Sequence, residues 1–283
     1  MALMQSTTTN GNSRARGPVG PLLREWRAVR GLSQLDLAMR AGFSTRHLSF
    51  IETGRTQPSR QALLVLAETL EVPLRERNRL LEAGGFAHVY RHTPLAADEM
   101  RHVRSVLQFI IDRHEPYGAV VLDRYSNLVM ANAAATRFQL GLIDPSLLRG
   151  VPNVMRMVFH PLGLRPCIVN WDEVARHLLS RAERELGELR DDQAATELLA
   201  ELRGYAGTSR HHPPTSIAAA DILLPVHLRK GDLDLRLFST IMTLGTPQDV
   251  TLQELRVETF FPADEESGIR LKSMWAEASP GGD

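Results

Sequence analysis

Between Gly20 and Gly85, glycine and proline recur at intervals that leave room only for short helices, and this spacing constrains the fold more than any other feature. Pro21 suits a first helical position, and Leu22, Leu23, Trp26 and Val29 form an apolar stripe that ends at Gly31. Ser33 caps a second helix over 34–40, with Leu35 and Leu37 inward and Gly42 as its stop. Ser44 caps a third over 45–53, ended by Gly54. Pro58-Ser59 opens a fourth over 60–70, and Pro73 a fifth over 74–83, ended by Gly84-Gly85. The pattern predicts five short helices with tight joints, a small all-α unit.

Within it, Gly31-Leu-Ser-Gln-Leu-Asp-Leu-Ala38 followed by Ala41-Gly-Phe-Ser-Thr-Arg-His-Leu-Ser-Phe-Ile-Glu-Thr-Gly-Arg55 suits a particular mechanical task. One helix lies across a DNA backbone while the next presents its first turn to base edges in the major groove. Gly42 permits the turn between them, and Ala38, Leu48 and Ile51 supply the small and apolar surface on which two helices cross steeply. Ser44, Thr45, Arg46 and Ser49 are then left to project from the third helix. Arginine forks onto guanine, while serine and threonine serve several bases. Arg46 fits a base contact and a phosphate contact equally well.

The charge distribution agrees with such a task. Arginine and lysine together number 33, as do aspartate and glutamate, yet residues 1–90 carry a net +5 and the remainder −5. A basic part joined to an acidic one fits a nucleic-acid reader attached to a second module. At 283 residues the chain has room for two domains, each with its own core. No apolar run approaches the roughly 18 residues of a membrane span, and residues 1–17 have no signal-peptide core. The sole cysteine, Cys167, lies in an apolar stretch and reads as a small buried hydrophobe. The expected location is the cytoplasm.

Residues 1–18 read as a disordered tail, 19–85 as the helical domain, 86–98 as a linker, 99–264 as a second domain and 265–283 as an acidic tail. In the second domain a helix is expected over about 96–114, with Met100, Val103, Val106, Leu107 and Ile110 on one face. Strands at 117–123 and 128–131 follow, then a helix at 133–140 capped by Asn132. Residues 144–221 read as mainly helical, and Asn170-Trp-Asp-Glu173 resembles a capping box. Leu224, Val226 and Leu228, then Leu233, Leu235, Leu237, Ser239 and Ile241, alternate as strands about a Gly231-Asp232 turn. A last strand is expected at about 252–261. The fold class is therefore α+β: an all-α domain, then an antiparallel sheet with covering helices.

Residues 20–85 resemble the XRE-type helix-turn-helix of bacterial and phage regulators. That resemblance implies that Gln34 anchors a DNA phosphate and that Thr45, Arg46, Ser49 and Phe50 occupy base-facing positions. It also implies that Gly54, Arg55 and Thr56 form the loop that meets the backbone. Arg27 and Glu52 match a buried structural ion pair. Phe50 stands where a polar residue is common, and either meets a thymine methyl or packs. The remainder resembles the MmyB-like branch of these regulators, through Pro73-Leu-Arg-Glu-Arg-Asn78, Ala83-Gly-Gly-Phe86, Tyr90-Arg91, Asn132-Ala-Ala, Asn153-Val-Met-Arg-Met-Val-Phe159 and Asn170-Trp-Asp-Glu-Val-Ala175. His88 replaces a proline common there. The resemblance implies a PAS-like ligand-binding domain and a lipophilic, fatty-acid-like effector.

Met155, Met157, Val158, Phe159 and Trp171 form plain core or line a slot for such a ligand, and Arg156, His160 and Arg165 are the nearest cations for a carboxylate. The candidate ligand-binding set is thus Met155, Arg156, Phe159, His160, Arg165 and Trp171. No cofactor, metal or catalytic residue is expected. His88 and His92 are spaced for a shared helix face but lack partnering ligands, and His211-His212 precedes Pro213-Pro214 in a solvated loop. No GxSxG or P-loop occurs, and Lys230 and Lys272 are the only lysines available to activate a self-cleaving serine. The expected partners are double-stranded operator DNA, a second copy of the chain and a small lipophilic ligand. The alternative is a second domain that binds a protein instead of a small molecule.

Overall fold

The computed structural model describes residues 19–187, 189, 192–206 and 225–278; the expected N-terminal tail and His211-His212 lie outside them. Two compact units are present. The first runs through Thr93 and also includes Pro247–Gln253; the second takes in Pro94–Thr246 and the chain from Glu254. The overall class is α+β. No helix among the described residues is long and apolar enough to cross a membrane.

The first unit contains α1 (Val19–Val29), α2 (Gln34–Ala41), α3 (Thr45–Glu52), α4 (Arg60–Thr69) and α5 (Leu74–Ala83). Local chemistry sets their starts. Ser33 accepts from the Asp36 amide while Asp36 accepts from that of Ser33, and Ser44 and Ser59 accept from His47 and Ala62. Gly42 closes α2 at φ 73°, a conformation that strains residues with a side chain. Gly20 serves a different need, because a β-carbon there would fall 2.4 Å from the Glu52 carbonyl oxygen. Only glycine lets α1 approach the end of α3 so closely.

Leu23, Leu37, Leu48, Ile51, Leu63, Leu66 and Leu70 fill the interior between these helices. Truncating one such leucine to alanine costs about 2–5 kcal/mol. Leu35, expected inward, is 54% exposed, and Val29 is also exposed. Residues two apart face nearly opposite sides of a helix, so Leu37 and Leu35 cannot both enter one core.

The expected linker is fastened to this unit as far as Thr93. Asn78, buried on α5, accepts from the amides of Val89 and Tyr90 and donates to the Tyr90 carbonyl. Residues 247–253 add a second fastening. Buried Asp249 accepts from the Thr93 hydroxyl at 2.7 Å and from the Thr251 amide at 2.8 Å, and Val250 donates to the Arg91 carbonyl. Gln253 accepts from the amide of Leu74, one of the donors that a helix N-terminus leaves without an internal partner.

In the second unit α6 (Arg101–Asp112) leads to β1 (Ala119–Leu122), β2 (Leu128–Ala131), α7 (Ala133–Leu142) and α8 (Val154–Phe159). Then come α9 (Trp171–Gly187), α10 (Gln193–Ala206), β3 (Val226–Lys230) and β4 (Leu233–Met242). The short α11 (Val250–Glu254), most of it in the first unit, precedes β5 (Arg256–Pro262) and α12 (Glu265–Ala278). The sheet order is β2-β1-β5-β4-β3, with every pairing antiparallel. Asn132, 1% exposed, ties α6, β1 and α7 together. Its oxygen accepts from Ala119 and Ala135, and its nitrogen donates to Ile111 and Tyr117.

Several expectations are corrected. On α6 Val106 faces out and Ile111 is buried, while Met100, Val103, Leu107 and Ile110 keep the inner side as expected. The start of the expected last strand is α11, because the Asp249 carbonyl and carboxylate take the first amides of a helical turn. The expected tail from 265 is α12. The acids that suggested a tail begin a helix, with Asp264 accepting from the Ser267 amide at 2.7 Å. Asn170 turns to β3, accepting from the His227 amide and donating to the Pro225 carbonyl, where a capping box was expected.

Candidate functional site

Glu52 organises the helical unit from inside. Its side chain is wholly buried at the end of α3, and Arg27 of α1 forks onto both oxygens at 2.8 and 3.0 Å. Gln34 adds a third donor at 2.8 Å. Burial alone would push the carboxyl up. The hydrogen bonds from Arg27 and Gln34, helped by the charges of Arg27 and Arg24, outweigh that and hold it below the ordinary glutamate range. Gln34, expected to hold a phosphate, therefore spends its amide on Glu52. The second N–H of that amide remains for a phosphate.

The outer side of α3 carries the other expected contacts. Ser44 is engaged as the cap, Arg46 is exposed, and Thr45 and Ser49 are half-buried. The guanidiniums of Arg46 and Arg55 both lie over the ring of half-buried Phe50, at 5.3 and 5.7 Å from its centroid. The Phe50 carbonyl also accepts from the amides of Arg55 and Thr56. One aromatic residue thus gathers two cations from the recognition helix and from the loop after it. Sequence reasoning treated those two as separate elements; the arginines flanking the aromatic were the available signal.

The second unit holds a partly open cavity of about 590 Å³ between one face of the sheet and α7, α8, α9 and α12. The register explains the lining. Ser239 pairs with Phe260 and Ile241 with Glu258, while Val120 pairs with Glu258, so Val120, Leu237, Ser239, Glu258 and Phe260 share a face. Most of the lining is apolar, and its charged members are Arg137, Arg181 and Glu258.

Of the six expected ligand contacts only Met155 lines this cavity. Phe159 is fully buried and meets Trp171 edge-on at 5.3 Å, within the cluster that packs α8 and α9 against α10. Arg156 is paired with Glu201 on α10, Arg165 donates to the Tyr205 carbonyl and lies over Trp171, and His160 meets the Tyr205 ring. In this structure these five pack and pair outside the cavity lining. They lie near one another in sequence, but the cavity draws on elements far apart. Arg137, Arg181, Ser239 and Glu258 were missed. The available signal was a polar residue in the inward phase of an apolar strand, as Ser239 is.

Cys167 is buried with Ile168 and Val174. Among the described residues no group of three histidines, cysteines or acids is arranged to hold a metal. His92 meets Arg75, and His88 lies 3.5 Å from Glu82.

Compared with known proteins, residues 19–80 match a family model described as a helix-turn-helix domain. Residues 103–274, more than half of the chain, match one described as the MmyB-like transcription regulator ligand binding domain. No curated protein matches the chain.

Proposed function

This chain belongs to the MmyB-like transcription regulators, a DNA-binding helix-turn-helix joined to a ligand-binding domain, and we propose that a lipophilic carboxylate in the cavity sets its operator affinity. The observation that carries this reading is the cavity itself: about 590 Å³, largely apolar, with arginines among its few charged residues. That volume lies within the roughly 300–1,000 Å³ of small-molecule sites. The five-stranded antiparallel sheet, with a helical stretch between β2 and β3, supports a PAS-like classification.

At the DNA, Thr45, Arg46 and Ser49 meet base edges, Arg55 and Thr56 meet the backbone, and Phe50 holds the two arginines between those tasks. Ser44 acts through the cap it provides, and Gln34 meets a backbone phosphate with the N–H that Glu52 leaves over. One recognition helix reads about half a site, so the working form is a homodimer on a two-fold operator. The ligand changes DNA affinity only so far as it binds DNA-competent and DNA-incompetent states unequally. The protein acts by binding alone, with no catalysed reaction.

Native mass spectrometry of the purified chain tests the occupant, and operator titration with and without dodecanoic acid tests its effect. A co-purified lipid and a shifted operator Kd are expected. Absence of bound lipid, of a thermal shift and of any change in DNA affinity would discard the lipid reading in favour of a protein partner for the second domain.

A further inference from the structure

Helix α6 carries more apolar surface than its own core uses. Leu107 and Ile111 are buried, and Val103 and Ile110 are half-buried beside them. Further round the helix on the side of Val103 and Ile110, Val106 is 40% exposed and Phe109 60%. The other flank is polar and internally matched: Arg101 pairs with Asp98, and Gln108 donates to Asp112 at 2.7 Å. Contiguous apolar groups left in water on one flank of a helix mark a contact surface.

The uncovered flank has the spacing of a helix-pairing seam. Glu99, His102, Val106, Phe109 and Arg113 follow one another at alternating intervals of three and four, and all five are exposed. Its acid and its arginine stand symmetrically. Glu99, in the short helical turn that leads into α6, lies seven residues before Val106, and Arg113 lies seven after it. Two turns of helix return both to the Val106 side. Among the described residues neither is in an ion pair; Arg113 instead lies over the Phe109 ring at 5.0 Å.

We propose that this flank of α6 is where two copies of the chain meet, as an antiparallel helix pair about a two-fold axis at Val106. This rests on the two-fold working form above and names the surface that makes it. A contact between identical copies must be complementary to itself, each residue facing the one equally far across the axis. Antiparallel packing sets Val106 on the partner's Val106, Phe109 on the partner's Val103, and Glu99 on the partner's Arg113. Parallel packing would set acid on acid and arginine on arginine. An unrelated partner imposes no such symmetry on the places of acid, apolar centre and base. The contact is short, so a micromolar dimer is expected in solution, and a two-fold operator strengthens it by holding both copies together.

Sedimentation velocity of the full chain across micromolar concentrations reads the dimer Kd. Phe109→Asp should raise it about thirtyfold or more, the scale of a central aromatic lost from an interface. Because that side chain is exposed, thermal unfolding should stay at the wild-type temperature. Operator DNA with two half-sites should then be bound more weakly, and a single half-site equally well. Glu99→Arg and Arg113→Glu should each weaken the dimer several-fold, and the two together should restore it to within about threefold. A Phe109→Asp protein with the wild-type Kd overturns the α6 surface. A doubly reversed protein that is not restored overturns the antiparallel register. A wild type that is monomeric alone yet occupies the operator in two copies also overturns the surface, while the two-fold reading stands. A wild type that is monomeric in both settings discards that reading itself.

Discussion

Glu52 and Glu258 are both buried acids near arginine, and their surroundings differ in kind. Three donors close on Glu52 at 2.8–3.0 Å from α1 and α2, and the cluster faces packed leucines. Glu258 holds one hydroxyl, stands 3.8 Å from its arginine, and borders an open volume. A closed network is already spent on its own fold. An open one retains donors that a ligand can use. In the first unit the comparable open donors are on the outer surface, at Arg46 and Arg55.

The sharpest way to break this contrast is Glu52→Ala. Removing the acid strands Arg27 and orphans Gln34, and the expected loss of stability is about 3–5 kcal/mol. Thermal or urea unfolding of the full chain measures it. A variant that melts like the wild type but shifts base preference would show that Glu52 reads DNA and that the closed network is no network at all.

Arg46→Ala should behave in the opposite way. The residue is exposed and its guanidinium rests on the Phe50 ring, so stability should hardly change while operator binding weakens by about 1–3 kcal/mol. Relaxed preference at one base pair identifies a base contact. Uniform weakening with a shallower salt dependence identifies a phosphate contact.

The smallest effect is expected from acid. Because the Glu52 carboxyl is held below its ordinary value, its contribution is present above the unfolded glutamate pKa and is lost as pH falls through the folded one. Unfolding measured across that acidic range should show a steeper decline in the wild type than in Glu52→Gln. Equal slopes would mean that the carboxylate gains nothing from its three donors.

The helical unit was legible in the sequence because its punctuation is local. Ser33, Ser44 and Ser59 each start a helix by accepting from an amide three residues on, and Gly42 ends one with its own backbone. The cavity was not, because its wall is set by register between strands far apart: Val120 meets Glu258 across 138 positions of chain only when β1 and β5 pair. Reasoning along a contiguous segment therefore chose Met155, Arg156, Phe159, His160, Arg165 and Trp171, and all but Met155 pack or pair on the side of α10. Arg256 and Arg181 could be joined only once Glu185 was placed between them.

The return of residues 247–253 to the first unit makes the DNA reader a discontinuous object in the gene. A stop codon anywhere between 94 and 246 leaves all five helices encoded, yet deletes Asp249 and Gln253 and with them the partners of Thr93 and Leu74. Such an allele is not a clean separation of reader from sensor. A minimal fragment for operator work has to carry the distant seven residues back, for instance by fusing them after Thr93.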